Sequence, residues 1–203
     1  MNKIKFVSFE GIDKSGKSTQ AELLKERLKK LDKKVFLTFE PGGVNNFEHT
    51  RSILLEGDYQ LDSISELFIF IADRREHVKK VIIPKLQDNY FIITDRYIDS
   101  TLAYQGGGRG IEEDTINYLN DIAVDNFIPA ITFLIDISIE ESRKRKGISD
   151  KIDSGNIEFM KNVRDKYLSI AEKSKRIVVI DGTKPVEEIS DIIYNRIKEE
   201  YFL

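Results

Sequence analysis

The stretch Phe6-Val7-Ser8-Phe9-Glu10-Gly11-Ile12-Asp13-Lys14-Ser15-Gly16-Lys17-Ser18-Thr19 reads as a short apolar strand, then Gly-x-x-x-x-Gly-Lys-Ser, then the first turn of a helix. Strand, glycine-rich loop and helix in that order form the setting in which a phosphate-binding loop works. Without a β-carbon at Gly11 and Gly16, the backbone can wrap a polyphosphate with its N–H groups turned inward. The helix opening at Lys17 adds the positive end of its dipole. Lys17 is placed to reach the terminal phosphates, and the Ser18 hydroxyl to hold Mg²⁺. A chance glycine turn is the weaker reading, because an apolar strand precedes the loop and an amphipathic helix follows it. The loop therefore predicts a nucleoside triphosphate site made by Gly11, Ile12, Asp13, Lys14, Ser15, Gly16, Lys17, Ser18 and Thr19.

Outward from the loop, Ala21, Leu24, Leu28 and Leu31 give the helix one apolar face. Lys33 and Lys34 end it, and residues 35–39 read as a second strand before the turn Glu40-Pro41-Gly42-Gly43. A short helix is expected at 53–55 and a long one over 61–86, with Pro84 near its end. Further strands fall at 90–94, 130–136 and 176–181. Helices are expected at 100–105, broken by Gly106-Gly107-Gly108, then at 111–124, briefly up to Arg145, and at 156–172 and 186–201. Residues 146–155 are polar, charged and aperiodic, and read as a short mobile lid. Five apolar strands alternating with helices predict an α/β fold, a five-stranded parallel sheet flanked by helices on both faces. Ligands then gather beyond the carboxyl ends of the strands. No repeat or linker interrupts residues 1–203, so one domain is expected.

Composition narrows the function classes. A net charge of −3 argues against nucleic acid as the main partner. The absence of cysteine excludes disulfides and thiolate metal sites, and fits a cytoplasmic protein. No apolar run approaches the roughly 20 residues of a membrane helix, and because residues 1–5 run straight into the first strand, no signal peptide is expected. His49 and His77, far apart and without cysteines, are expected at surface or helix-face positions, not at a metal.

Four further stretches narrow the chemistry. After the third strand come Asp95-Arg96-Tyr97 and Ser100-Thr101-Leu102-Ala103-Tyr104-Gln105. Arg96 offers a fork for a phosphate or carboxylate, while Asp95 either sits near Mg²⁺ or holds Arg96. Ser100 with Tyr104, and Thr101 with Gln105, share helix faces and make a polar wall. On the long helix, Phe70, Arg74 and His77 form one stripe, where an aromatic ring can stack a base and a guanidinium can bond its edge. The Glu40-Pro41-Gly42-Gly43 turn, with Arg51 eight residues beyond, gains meaning beside the other sites. Arg143, Lys144, Arg145, Lys146 and Lys151 make the lid region basic, suited to closing over a triphosphate.

From Phe6 to about Thr183 the chain resembles the thymidylate kinase family, nucleoside monophosphate kinases on the P-loop NTPase fold. The resemblance rests on the loop, on Glu40-Pro41-Gly42-Gly43, on Phe70-x-Ala72-Asp73-Arg74 and above all on Asp95-Arg96-Tyr97 with Ser100 and Ala103-Tyr104-Gln105. It implies Mg²⁺-dependent transfer of the ATP γ-phosphoryl group to dTMP by a homodimer. It further implies that Asp13 accepts from the sugar 3′-hydroxyl, Phe70 stacks on thymine and Arg74 meets its O4 edge. Arg51 and Arg96 would hold the acceptor phosphate, with Glu40 and Pro41 beside them. Thr101 or Ser100 would read N3, Tyr104 would crowd the 2′ position, and Gln105 would complete the wall. Tyr167 would approach the nucleotide; Arg145, with Asp181, Gly182 and Thr183, would enclose adenine. Ser18 and Asp95 are the metal candidates, and Lys17, Arg96, Lys14 and Asp95 the catalytic ones. Because a phosphate oxygen is already anionic at neutral pH, the chemistry needs in-line positioning and charge neutralisation, not a general base.

The chain departs from the family pattern at Phe39, where arginine is common, and at Val44, where threonine is common. Lys14 in the loop and Lys151 in the lid are both lysines near places that carry a catalytic arginine in relatives, so which basic group meets the transferred phosphoryl stays open. Alternative readings are another nucleoside monophosphate kinase acting on dUMP, UMP or AMP, a nucleoside kinase, a non-catalytic phosphate-binding module, and a GTPase-type switch. Asp150-Lys151-Ile152-Asp153 is a poor guanine reader, having aspartate in place of asparagine and lying well beyond the fourth strand.

Overall fold

The computed structural model describes residues 4–45, 48–56, 60–145 and 156–201. A five-stranded parallel sheet runs through it in the order β2-β3-β1-β4-β5. The strands are β1 (Phe6–Glu10), β2 (Val35–Phe39), β3 (Phe91–Asp95), β4 (Ile131–Asp136) and β5 (Ile177–Asp181). Every residue of the central β1 is buried, as a strand covered on both faces requires. Phe9 pairs with Asp95 and Glu10 with Leu134. The loop after β1 and the segment after β3 therefore leave the sheet side by side, at the carboxyl edge where the strand order reverses.

Both faces carry helices. On one side α1 (Lys17–Lys29) and α9 (Val186–Tyr201) cover β1, with Leu24, Leu28, Ile193 and Ile197 packed on Val7, Phe9 and Phe133. On the other, Val78 and Ile82 meet Phe6, Ile92 and Tyr97, while Met160, Val163 and Tyr167 of α8 (Ile157–Lys173) meet Ile12 and Leu134. Burial of these apolar faces, at roughly 25 cal/mol per Å², is the main stabilising contribution. Leu31, expected on the α1 face, is 43% exposed because the helix ends at Lys29.

The long helix predicted over 61–86 is composite. After a short α2 (Glu48–Arg51) and a π turn, Asp62 caps α3 (Ser63–His77) by accepting from the N–H groups of Ile64 and Ser65. A π turn, Val78–Ile82, then leads into α4 (Ile83–Gln87). Pro84 lies in the first turn of α4, where its missing N–H is tolerated.

The glycine triplet corrects one expectation. Gly106 does not break the helix; α5 (Ile98–Thr101) continues as π-helical turns from Leu102 to Gly108. The glycines mark close packing of α8. A Cβ at Gly107 would lie 2.6 Å from Lys166 Cβ, and one at Gly108 2.4 Å from the Phe159 ring. The chain then forms α6 (Glu113–Val124) and, after β4, α7 (Ile139–Lys144), the latter capped by the Ser138 hydroxyl. The stretch read as a lid lies outside the described residues, and Lys146 and Lys151 with it.

Candidate active site

The loop after β1 takes the turn that its glycines permit. Gly11 and Gly16 have φ of 140° and 99°, and Lys14 has 62°. A Cβ at Gly11 would fall 2.5 Å from the Ile135 carbonyl oxygen, so no other residue fits. Lys17 is nearly buried; its Nζ donates to the Ile12 carbonyl and stands 3.7 Å from Asp13 Oδ1. Ser18 Oγ donates to Asp95 Oδ2, and Asp95 Oδ1 is buried with no hydrogen-bond partner. A hydroxyl beside a carboxylate with one unsatisfied oxygen is a hard donor set that fits Mg²⁺.

With Asp95 turned to Ser18, Arg96 is held by Asp13, its Nη2 2.6 Å from Asp13 Oδ1. A backbone φ of 71° at Arg96 turns its side chain back toward the loop, a strained conformation typical of functional positions. Its Nη1 donates to the Gly11 carbonyl at 3.2 Å, and its guanidinium lies 5.0 Å from the Tyr104 ring centroid. Burial opposes the Arg96 charge, but Tyr104, Tyr167, Asp13 and Asp95 more than offset it.

Behind Arg96 sits Glu10, fully buried. Its carboxylate accepts from the Tyr97 N–H (2.7 Å), the Ser100 hydroxyl (2.5 Å) and the Tyr167 hydroxyl (3.0 Å). Burial, reinforced by Asp99, pushes its pKa from 4.5 to about 7, against the Ser100 hydrogen bond, the Arg96 charge and the Tyr97 N–H. Tyr167 thus stands behind the wall and braces it.

A second buried network holds the turn after β2, whose Glu40–Pro41 peptide is cis. Arg74, 1% exposed, donates to Glu40 Oε2 (2.8 Å), Thr101 Oγ1 (2.8 Å), Asn120 Oδ1 (2.6 Å) and the Tyr97 carbonyl (3.0 Å). His77 is 0% exposed, its Nδ1 2.9 Å from Glu40 Oε1 and its Nε2 2.7 Å from Thr38 Oγ1. Of the surface or helix-face positions expected for it, His77 takes a buried face of α3: a histidine with partners on both ring nitrogens can be buried where a free one could not. His49 is exposed. Burial opposes the Glu40 charge, yet Arg74 and His77 hold its carboxyl below the ordinary value. Asp73 accepts from the Gly42 N–H and from the Thr50 hydroxyl, fixing the turn to α2. Arg51 on α2 lies with its guanidinium 5.6 Å from the Phe39 ring centroid.

These elements enclose a cavity of about 560 Å³. Asp13, Lys14, Lys17, Ser18, Glu40, Pro41, Arg51, Phe70, Arg74, Asp95, Arg96, Ser100, Thr101, Tyr104 and Gln105 all line it, so these sequence-predicted residues converge, while Tyr167 and the rest of the phosphate loop are not among the lining residues. The other nucleotide candidates gather around Arg145, whose Nη1 donates to the Lys14 and Ser15 carbonyls and whose Nη2 donates to the Gly182 carbonyl. There Asp181 accepts from the N–H and hydroxyl of Thr183. Sequence reasoning assigned no role to Glu10, Glu66 or Asn120. Glu10 announces itself as a charge closing an apolar strand, and Glu66 as the residue one turn before Phe70; Asn120 carries no local signal.

A family model described as "Thymidylate kinase" matches residues 9–193. A curated thymidylate kinase of a Sulfurihydrogenibium species is 46% identical over 197 residues, which cover 96% of this chain and 97% of the relative. One from Thermosipho africanus is 42% identical, covering 91% and 92%. Among solved structures, the thymidylate kinase of Ehrlichia chaffeensis aligns with a TM-score of 0.79 at 40% identity, covering 95% of this chain and 97% of that one.

Proposed function

This chain belongs to the thymidylate kinase family, and from that premise we propose that one Mg²⁺-assisted site carries the γ-phosphoryl group of ATP to dTMP. The products are ADP and dTDP. The observation that carries the reading is the shared cavity, in which Lys17 and Ser18 of the phosphate loop stand with Arg96, Phe70 and Tyr104. A triphosphate binder alone needs no second cationic wall facing its loop.

In this reading Arg96 and Arg51 hold the dTMP phosphate, Phe70 stacks on thymine, and Tyr104 crowds the 2′ position. Asp13 exchanges its Arg96 partner for the sugar 3′-hydroxyl. Arg74 meets O4 by sharing a donor now given to Thr101 or Asn120. Lys17, Lys14 and Arg96 surround the transferred group with positive charge before reaction, which costs no reorganisation during it. Ser18 and Asp95 are the residues that would hold Mg²⁺, which supplies further charge neutralisation at the phosphates when bound. Arg145, with Asp181, Gly182 and Thr183, borders adenine.

Exposed apolar side chains on neighbouring helices support a homodimer: Ile64 and Phe68 of α3, and Tyr118 and Ile122 of α6. A patch of this kind is what a protein partner covers. We place the enzyme in the cytoplasm, with the nucleotide pools it draws on. Among the described residues no helix is long and apolar enough to cross a membrane.

The test is ADP release with ATP and Mg²⁺ against dTMP, dUMP, UMP, AMP, thymidine and no acceptor. Turnover that strongly favours dTMP is expected. Preference for UMP or AMP would keep the kinase and discard the base pocket, whereas ADP release without an acceptor would remove the acceptor site itself.

A further inference from the structure

Glu66 lies on α3 one helical turn before Phe70, and 6% of its side chain is exposed. It faces two residues that come after β3. Gln105 Nε2 donates to Glu66 Oε1 at 2.9 Å; Arg109 donates through Nε to the same oxygen at 3.2 Å and through Nη2 to Oε2 at 2.9 Å. Arg109 is itself seated over the Phe159 ring of α8, 5.0 Å from its centroid. The carboxylate is thus fixed from both sides.

A carboxylate accepts hydrogen bonds and donates none. An amide packed against it turns its nitrogen toward it, because the flipped amide would oppose two oxygens and strand a buried donor. Gln105 is 1% exposed and lines the cavity beside Thr101 and Phe70. With its nitrogen held at Glu66, the amide keeps its carbonyl oxygen to accept from a base in the cavity that Gln105 lines.

We infer that Glu66 is a specificity-determining positioning residue: by fixing the Gln105 amide it makes the base wall accept a hydrogen bond, favouring a pyrimidine with a ring N–H over one with a bare ring nitrogen. Thymine and uracil carry a proton on N3, whereas cytosine presents a lone pair there. The inference rests on the reading that this cavity takes dTMP.

The experiment compares kcat/KM for dTMP and 5-methyl-dCMP, which share the 5-methyl group and differ in the hydrogen-bonding edge. Wild type, Glu66→Gln, Glu66→Asp and Gln105→Leu are measured, and melting temperature checks the fold of each. An amide at position 66 both donates and accepts, so Gln105 is free to turn. The preference for dTMP is expected to shrink about tenfold or more, mainly through the KM for 5-methyl-dCMP. Glu66→Asp draws the carboxylate back by one methylene and acts in the same direction, so either folded variant suffices. An unchanged preference in a folded Glu66 variant, or in Gln105→Leu, overturns the inference. A wild-type protein indifferent between the two nucleotides overturns the reading of the cavity beneath it.

Discussion

Arg96 Nη2 lies 2.6 Å from Asp13 Oδ1, joining the segment after β3 to the phosphate loop after β1. The pair spans 83 residues of sequence, yet parallel pairing of Phe9 with Asp95 brings the two loops out together. Before substrate arrives, each charge shields the other. In the proposed reading, the dTMP phosphate would compete with the Asp13 carboxylate for the guanidinium, and the sugar hydroxyl would take up the carboxylate so released.

Replacing the Arg96 fork with a point charge tests that exchange. Arg96→Lys is expected to lower kcat/KM for dTMP by about a hundredfold or more, because lysine cannot bond two oxygens in one plane. The KM for ATP should move much less. Steady-state kinetics with each substrate varied in turn separates the two.

Asp95 Oδ1 is one of the buried side-chain oxygens that lack a hydrogen-bond partner among the described residues. Asp95→Asn removes its charge at nearly constant shape, and the Mg²⁺ concentration for half-maximal turnover should rise by about tenfold or more. A magnesium titration at saturating nucleotides reads this directly. Unaltered Mg²⁺ dependence would leave Asp95 as a structural partner of Ser18.

Glu10 predicts a pH dependence of stability. Its folded-state pKa, about 7, lies above the ordinary 4.5, so the folded protein holds a proton that the unfolded chain has released between those values. Stability from this group is fully present below about pH 4.5 and is lost as pH rises through about 7, a loss on the order of 3 kcal/mol. The groups facing it are Asp99, Ser100, Tyr97, Tyr167 and Arg96. Denaturant melts at about pH 5 and about pH 8 should show Glu10→Gln with a smaller drop than wild type.

The glycines against α8 predict a packing defect. Gly107→Ala puts a methyl 2.6 Å from Lys166 Cβ and 2.8 Å from the Asn162 carbonyl oxygen, at an expected cost of about 1–3 kcal/mol. Calorimetry should register a melting temperature lower by several degrees, on the order of 2–4 °C per kcal/mol.

Most of the sheet and much of the cavity were legible in the chain, because both depend on local pattern. Apolar runs place the strands, and parallel pairing carries the loops after β1 and β3 to one edge. Long-range polar partnerships were not legible. Nothing near His77 announces that Glu40 and Thr38 will bury it, and nothing near Arg74 announces Asn120. The glycine triplet misled for a related reason: local propensity reads it as a breaker, while tertiary packing uses it as a surface for α8. Asp95, open in the sequence to a place near Mg²⁺ or to holding Arg96, bonds Ser18, while Asp13 takes Arg96.

The most direct measurement tracks phosphorus. With ATP, dTMP, Mg²⁺ and the protein in one tube, ³¹P NMR should show dTDP and ADP growing in equal amounts as dTMP and ATP disappear. Inorganic phosphate accumulating with ADP while dTMP stays constant would contradict the account, leaving a triphosphatase in place of a phosphoryl transferase.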